Sequence, residues 1–77
     1  MRLKVLSMNG YLLDTECQSI RVPSVEGLLG IHTGHAPMMC ALDCGNLEYK
    51  IQGENKVYAI PGGIFEVHDD CAIVLIN

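Results

Sequence analysis

The chain has 77 residues and a formal net charge of −4, from 5 Lys and Arg against 9 Asp and Glu. That length allows one domain, and a hydrophobic content of 49% argues against a disordered chain. An acidic chain with scattered basic residues lacks the positive surface that nucleic acid or anionic lipid requires, which argues against both as direct partners.

Residues that favour turns recur along the whole chain, and the stretches between them are about 5–9 residues long, which is strand length. Apolar and polar residues alternate in several stretches, as at Leu3–Val5, Ile20–Val22 and Leu47–Ile51. No stretch keeps a helical period over three turns. The turn signals lie at Asn9-Gly10, Pro23-Ser24, Gly34, Asp43–Asn46, Gly53–Asn55, Pro61–Gly63 and Asp69-Asp70. We therefore predict an all-β domain of eight to ten strands, either a sandwich or a flattened barrel.

Two segments, Pro37–Leu42 and Cys71–Ile76, are apolar at both strand parities. In a sandwich only every second side chain of a strand faces the core, so the apolar side chains between them face outward and must be covered by another part of the chain or by a partner. Large exposed apolar surfaces usually mark interfaces, which predicts a partner surface here. The alternative is that loops of the same chain cover both segments.

The four cysteines and three histidines form no established metal-binding spacing. Cys17, Cys40, Cys44 and Cys71 are predicted to be free thiols, mostly buried. The histidines are His32, His35 and His68, of which the first two form an HxxH pair. An alternative therefore stays open, in which these three histidines bind a metal or a ligand in a small, free-standing β-barrel module. The simpler interpretation is that His35 caps a turn and His32 lies on the surface.

No catalytic or cofactor-binding motif is present. The glycine-rich stretch Ser24–Pro37 is followed by a strand-like run rather than a helix and has no GK[ST] sequence, which argues against a phosphate loop. No serine or cysteine has a recognisable general base. Asp69 and Asp70 are predicted to be turn residues. No apolar run approaches the ~18 residues of a transmembrane helix, so we expect a cytoplasmic chain.

The string EGLLGIHTGHAPMM, then GN, then YAIPGGIFEV and a final apolar strand, resembles the epsilon subunit of F-type rotary ATP synthases, which is called delta in mitochondria. The resemblance runs from about Leu3 to Leu75. The residues that carry it are Gly27, Gly30, Ile31, Gly34, His35, Ala36, Pro37, Gly62, Gly63, Glu66 and Val67.

The resemblance implies a ten-stranded β-sandwich, a flattened barrel of two sheets, in a non-catalytic rotor subunit. This subunit would bind the gamma subunit and the ring of c subunits on the cytoplasmic face of the bacterial inner membrane, and would couple proton or sodium flow to ATP synthesis. The resemblance places a c-ring-facing loop at Glu26, Gly27, Leu28, Leu29 and Gly30, and His35 near gamma. Met38 and Met39 are our hypothesis for a further gamma contact. Five glycines are expected to set backbone geometry, namely Gly27, Gly30, Gly34, Gly62 and Gly63.

Family members usually continue into a C-terminal pair of helices, whereas the sequence here stops at Asn77. We therefore expect residues 1–77 to form one domain without the helical pair. We also expect it to need no cofactor, to bind no ATP, and to lack inhibition by those helices.

Overall fold

A computed structural model describes all 77 residues and confirms the all-β prediction. It has nine strands where the resemblance implies ten. Seven of the eight connections between strands have two residues, and the longer one, residues 33–37, is a turn followed by irregular backbone rather than a tenth strand. No helix long and apolar enough to cross a membrane occurs in the structure. The strands are β1 (Arg2–Ser7), β2 (Gly10–Glu16), β3 (Ser19–Ser24), β4 (Gly27–His32), β5 (Met38–Leu42), β6 (Gly45–Ile51), β7 (Glu54–Ile60), β8 (Gly63–His68) and β9 (Cys71–Ile76).

The strands form two halves of one curled sheet. The first half has the order β2-β1-β9-β8-β5, and in the second half β3 pairs with β4 on one side and β6 on the other, with β7 outermost. The halves join where Ser24 of β3 pairs with Leu42 of β5. Only β1 and β9 run parallel, and every other pair is antiparallel.

The core lies between the two halves because both turn one strand parity inward. Thirteen buried apolar residues form a single cluster, and Phe65 at its centre is fully buried. The rest are Leu3, Val5, Cys17, Ile20, Val22, Ile31, Leu42, Leu47, Ile60, Val67, Ala72 and Val74. In β9 the structure thus places Ala72 and Val74 inward and Ile73 and Leu75 outward, which the sequence leaves undecided.

Tight turns connect the hairpins, as the density of turn residues predicts. Asp69 and Asp70 both have positive φ, at 50° and 57°, in the two-residue connection between β8 and β9. Gln52 and Gly53 also have positive φ, at 50° and 81°, in the connection between β6 and β7. Positive φ at both central residues matches the twist of the flanking strands in short hairpins. The prediction that Asp69 and Asp70 are turn residues is confirmed.

Candidate functional site

An apolar groove of about 570 Å³ lies between the β3–β4 hairpin and β5. Seven of its ten lining residues are apolar, and Leu28 and Met39 are 68% and 63% exposed. An exposed groove of this composition is typical of a contact surface rather than of a reaction site. Its lining is Ser24, Val25, Glu26, Gly27, Leu28, Leu29, Met38, Met39, Cys40 and Ala41.

Hydrogen bonds fix the hairpin turn that forms one wall of the apolar groove. The Ser24 hydroxyl donates to the Gly27 carbonyl at 2.6 Å, and the Glu26 N–H donates to the Ser24 hydroxyl oxygen at 3.2 Å. The Val25 N–H donates to the Ala41 carbonyl at 3.1 Å, which ties the turn to β5. Four of the five loop residues singled out from the sequence and both methionines therefore line one groove, whereas Gly30 lies outside it.

His35 lies at the other end of β5. Its ring Nδ1–H donates to the Ala36 carbonyl at 2.6 Å, and its backbone N–H donates to the His32 carbonyl at 3.1 Å. The neighbouring Gly34 N–H donates to Asp70 Oδ1 at 2.7 Å, so the loop packs beside the β8–β9 turn. The prediction that His35 caps a turn is confirmed. Since β5 has five residues at about 3.3 Å each, His35 and the β3–β4 turn are well separated.

A row of apolar side chains crosses the outer face of the first half of the sheet. Cross-strand pairing sets Ala41 opposite Ile64, Ile64 opposite Leu75, Leu75 opposite Leu6 and Leu6 opposite Tyr11. Ile64, Leu75 and Tyr11 are 44%, 49% and 63% exposed. We call these five residues the apolar row. Because Ala41 also lines the apolar groove, the row and the groove form one continuous surface.

Charged residues bound the apolar row on the same face. The Arg2 Nε–H donates to Asp14 Oδ1 at 2.7 Å, and this hydrogen bond holds the pKa of the Asp14 carboxyl below its ordinary value. Lys4 Nζ stands 5.9 Å from the centre of the Tyr11 ring. An apolar centre with a polar rim is the usual anatomy of a protein–protein interface.

The histidines do not come together. His32 and His68 are exposed on different halves of the sheet, and His35 is committed to its turn. No group of three or more His, Cys, Asp or Glu side chains is placed to hold a metal ion. The alternative of a module that binds metal through His32, His35 and His68 is therefore not favoured.

All four cysteines are free, as predicted, but the prediction that most are buried is wrong. Only Cys17 is buried, and burial raises the pKa of its thiol. Cys40 and Cys71 are half-buried, and burial also raises the pKa of Cys40. Cys44 is exposed because it lies in the short connection between β5 and β6 rather than in a strand.

Four of the five glycines singled out from the sequence have positive φ, and Gly30 does not. Gly63 has the strictest requirement, because a Cβ at this position would overlap the Leu75 carbonyl oxygen. At Gly30 a Cβ would meet nothing within 4 Å, so the backbone gives no reason for glycine there. The other three are Gly27, Gly34 and Gly62.

Sequence reasoning missed three members of the apolar row, namely Leu6, Tyr11 and Ile64. Each looks ordinary in its own strand, and only the pairing of four strands aligns them. The apolar outer parity of Cys71–Ile76 is the signal that pointed toward this face.

The family model of the ATP synthase delta/epsilon chain β-sandwich domain matches residues 1–77. The ATP synthase epsilon chain of Prochlorococcus marinus (strain MIT 9301) is 39% identical over 75 residues, which cover 97% of this chain and 56% of that protein. The chloroplastic ATP synthase epsilon chain of Pylaiella littoralis is 34% identical over 77 residues, covering 100% of this chain and 58% of that protein. The chain thus spans little more than half the length of these relatives.

A chain in the solved Euglena gracilis mitochondrial ATP synthase, a structure of OSCP, F1 and the c-ring, has a similar fold. The TM-score is 0.87 at 26% identity, and the likeness covers 96% of this chain and 48% of that chain. A chain in the central stalk and c-ring structure of the Tetrahymena thermophila mitochondrial ATP synthase has a TM-score of 0.80 at 17% identity, covering 99% of this chain and 62% of that one. At 17% identity the second likeness bears on the fold alone.

Proposed function

Because this chain belongs to the ATP synthase delta/epsilon family, we propose that it is a non-catalytic subunit of the rotor in an ion-driven ATP synthase. It binds the gamma subunit and the ring of c subunits, and so helps couple ion flow to ATP synthesis. In a bacterial cell it is held at the cytoplasmic face of the inner membrane through the complex.

The observation that carries the proposal is the continuous surface of the apolar row and the apolar groove. A β-sandwich of 77 residues normally turns its apolar parity inward and a polar parity outward. Here Leu75, Ile64 and Met39 stand on the outer face while Val74 and Phe65 fill the core. Removing apolar surface from water is favourable by about 25 cal/mol per Å² before the entropic cost of association is subtracted, so covering this face favours binding of a partner.

We assign the two partners to different parts of this surface. The outer face at Met39 and the apolar row suits gamma, because it is broad, apolar at its centre and polar at its rim. Met38, the other methionine of the hypothesis, packs against the core instead and reaches this surface only where it lines the apolar groove. His35, which the resemblance places near gamma, lies in the loop before the N-terminal end of β5. The β3–β4 turn suits the c-ring, since Glu26 and Leu28 project at the opposite end of β5 from His35.

The assignment of Glu26–Gly30 to the c-ring places a carboxylate and two leucines at that contact. Leu28 is 68% exposed, and the hydrogen bonds at Ser24 hold the turn in one conformation. A rigid turn loses little conformational entropy when it binds, which favours affinity. The apolar groove then lies at the boundary between gamma and the ring.

A photoreactive amino acid placed at single positions in the assembled synthase tests this assignment. We expect position 26 to form adducts with subunit c and position 75 to form adducts with gamma. Position 57 is the control, because Val57 is 58% exposed on β7, outside both surfaces. Adducts from position 57 equal to those from 26 and 75, or an exchange of the two partners, would contradict the assignment.

A further inference from the structure

A second groove, of about 340 Å³ and polar, lies on the outer face of the other half of the sheet. Cross-strand pairing sets Ser19 of β3 between His32 of β4 and Lys50 of β6, and Lys50 opposite Asn55 of β7. Directly opposed side chains in a sheet have Cβ atoms about 5 Å apart. The polar groove is lined by Ser19, Ile20, Arg21, Gly30, His32, Glu48, Tyr49, Lys50 and Asn55.

The polar groove contains the two basic side chains of this chain that have no partner. Of the five Lys and Arg residues, Arg2 pairs with Asp14 and Glu16, Lys56 pairs with Glu54 at 3.4 Å, and Lys4 stands over Tyr11. Arg21 and Lys50 make no ion pair and donate no side-chain hydrogen bond. In a chain with a net charge of −4, the cations left free thus lie together.

Gly30 opens the corner of the polar groove between Arg21 and His32. It pairs directly with Arg21, and a side chain there would meet nothing within 4 Å, so the space is vacant. One acid, Glu48, faces the groove from the other side of Arg21. It offsets one of the two positive charges and lowers the affinity for an anion.

We propose that the polar groove binds a small oxyanion of the phosphate type. The planar guanidinium of Arg21 donates two parallel hydrogen bonds to such an anion, and the Lys50 ammonium adds a point charge. The Ser19 hydroxyl and the Asn55 amide supply neutral donors beside them. Free inorganic phosphate fits better than a lipid headgroup, because an anionic membrane repels a chain with a net charge of −4.

Titration with potassium phosphate tests this proposal through backbone amide chemical shifts, at constant ionic strength set with potassium chloride. We expect saturable shifts at residues of the polar groove. Arg21→Gln and Lys50→Gln should each weaken binding about three- to fivefold, because this is the change in affinity that the loss of one solvent-exposed charge contact produces. Glu48→Gln should strengthen binding by a similar factor, because it removes the opposing charge.

Two variants with the same charge changes outside the polar groove are the controls. Lys56→Gln and Glu66→Gln should leave the phosphate affinity unchanged. The midpoint temperature of thermal unfolding of every variant should stay near that of the wild type. Equal effects of Lys56→Gln and Lys50→Gln would mean general charge attraction and would overturn the proposal. So would the absence of saturable shifts.

Two further titrations separate the sources of the anion. If ATP shifts the amide signals of the same residues and free phosphate reverses those shifts, the result would support an anion site in the polar groove and would add the phosphates of a nucleotide to its ligands. Broadening at the groove with vesicles that contain phosphatidic acid, with no response to free phosphate, would overturn the proposal in favour of a membrane contact.

Discussion

Ile64 faces Leu75 across the antiparallel pair of β8 and β9, and both side chains stand on the outer face of the sheet. They are 44% and 49% exposed, whereas their chain neighbours Phe65 and Val74, which face each other in the same pair, are fully buried. One ladder thus presents apolar side chains on both faces. Only the inner face is used by the chain itself, and the outer one is the surface that we assign to gamma.

Truncation of adjacent residues in β9 separates these two faces. Val74→Ala should lower the free energy of unfolding by about 1–3 kcal/mol, because it leaves a cavity in the core. Leu75→Ala should change it by about 0.5 kcal/mol or less, because no buried contact is lost. Urea denaturation of the two variants checks this, and a larger loss for Leu75→Ala would contradict the assignment of faces.

Gly63→Ala should destabilise the fold far more than Gly30→Ala. At Gly63 the added methyl group would overlap the Leu75 carbonyl oxygen, and the φ of +147° disfavours a side chain. We expect a loss above about 2 kcal/mol, or failure to fold. Gly30→Ala adds a methyl group in open space and serves as the matched control in thermal unfolding. Equal melting temperatures for both variants would contradict this prediction.

The ion pair between Arg2 and Asp14 should make stability depend on pH in the acid range. The hydrogen bond from Arg2 lowers the pKa of Asp14 below its ordinary value of 3.8. A carboxyl whose pKa is lower in the folded chain contributes stability above about pH 4 and loses it as the pH falls through the folded pKa. The stability difference between the wild type and Asp14→Asn should therefore be present at neutral pH and shrink toward zero in acid. Urea denaturation across pH measures it, and a difference that grows in acid would contradict the pairing.

Thiol reagents should modify the four cysteines in an order set by exposure. The thiolate is the reactive form, and burial raises the pKa of Cys17 and Cys40. Cys44 is exposed and should react first, and Cys17 should react only as fast as the chain unfolds. Mass spectrometry after timed labelling measures the order, and Cys44→Ser should remove the fast phase. Rapid labelling of Cys17 in the folded chain would place it outside the core.

The sequence predicts the fold class well because strand alternation and turn residues are local signals. The turn at Asp69-Asp70 and the burial of Leu3 and Val5 follow from such patterns. The outward parity of β9 and the pairing of Leu6 with Tyr11 do not, since they depend on which strands become neighbours. The polar groove was missed for the same reason: Arg21 and Lys50 are 29 positions apart in the sequence, and only the β3–β6 pairing brings them to one face.

Calorimetric titration of this chain with the isolated gamma subunit of the same source tests the rotor role most directly. We expect a one-to-one complex with a negative heat-capacity change, which marks the burial of apolar surface. Leu75→Glu should weaken it at least about tenfold, because a carboxylate in an apolar contact is costly, and Val57→Glu is the control with the same charge change. Absence of binding to folded gamma, or equal affinities for the wild type and Leu75→Glu, would contradict the role assigned to the apolar row.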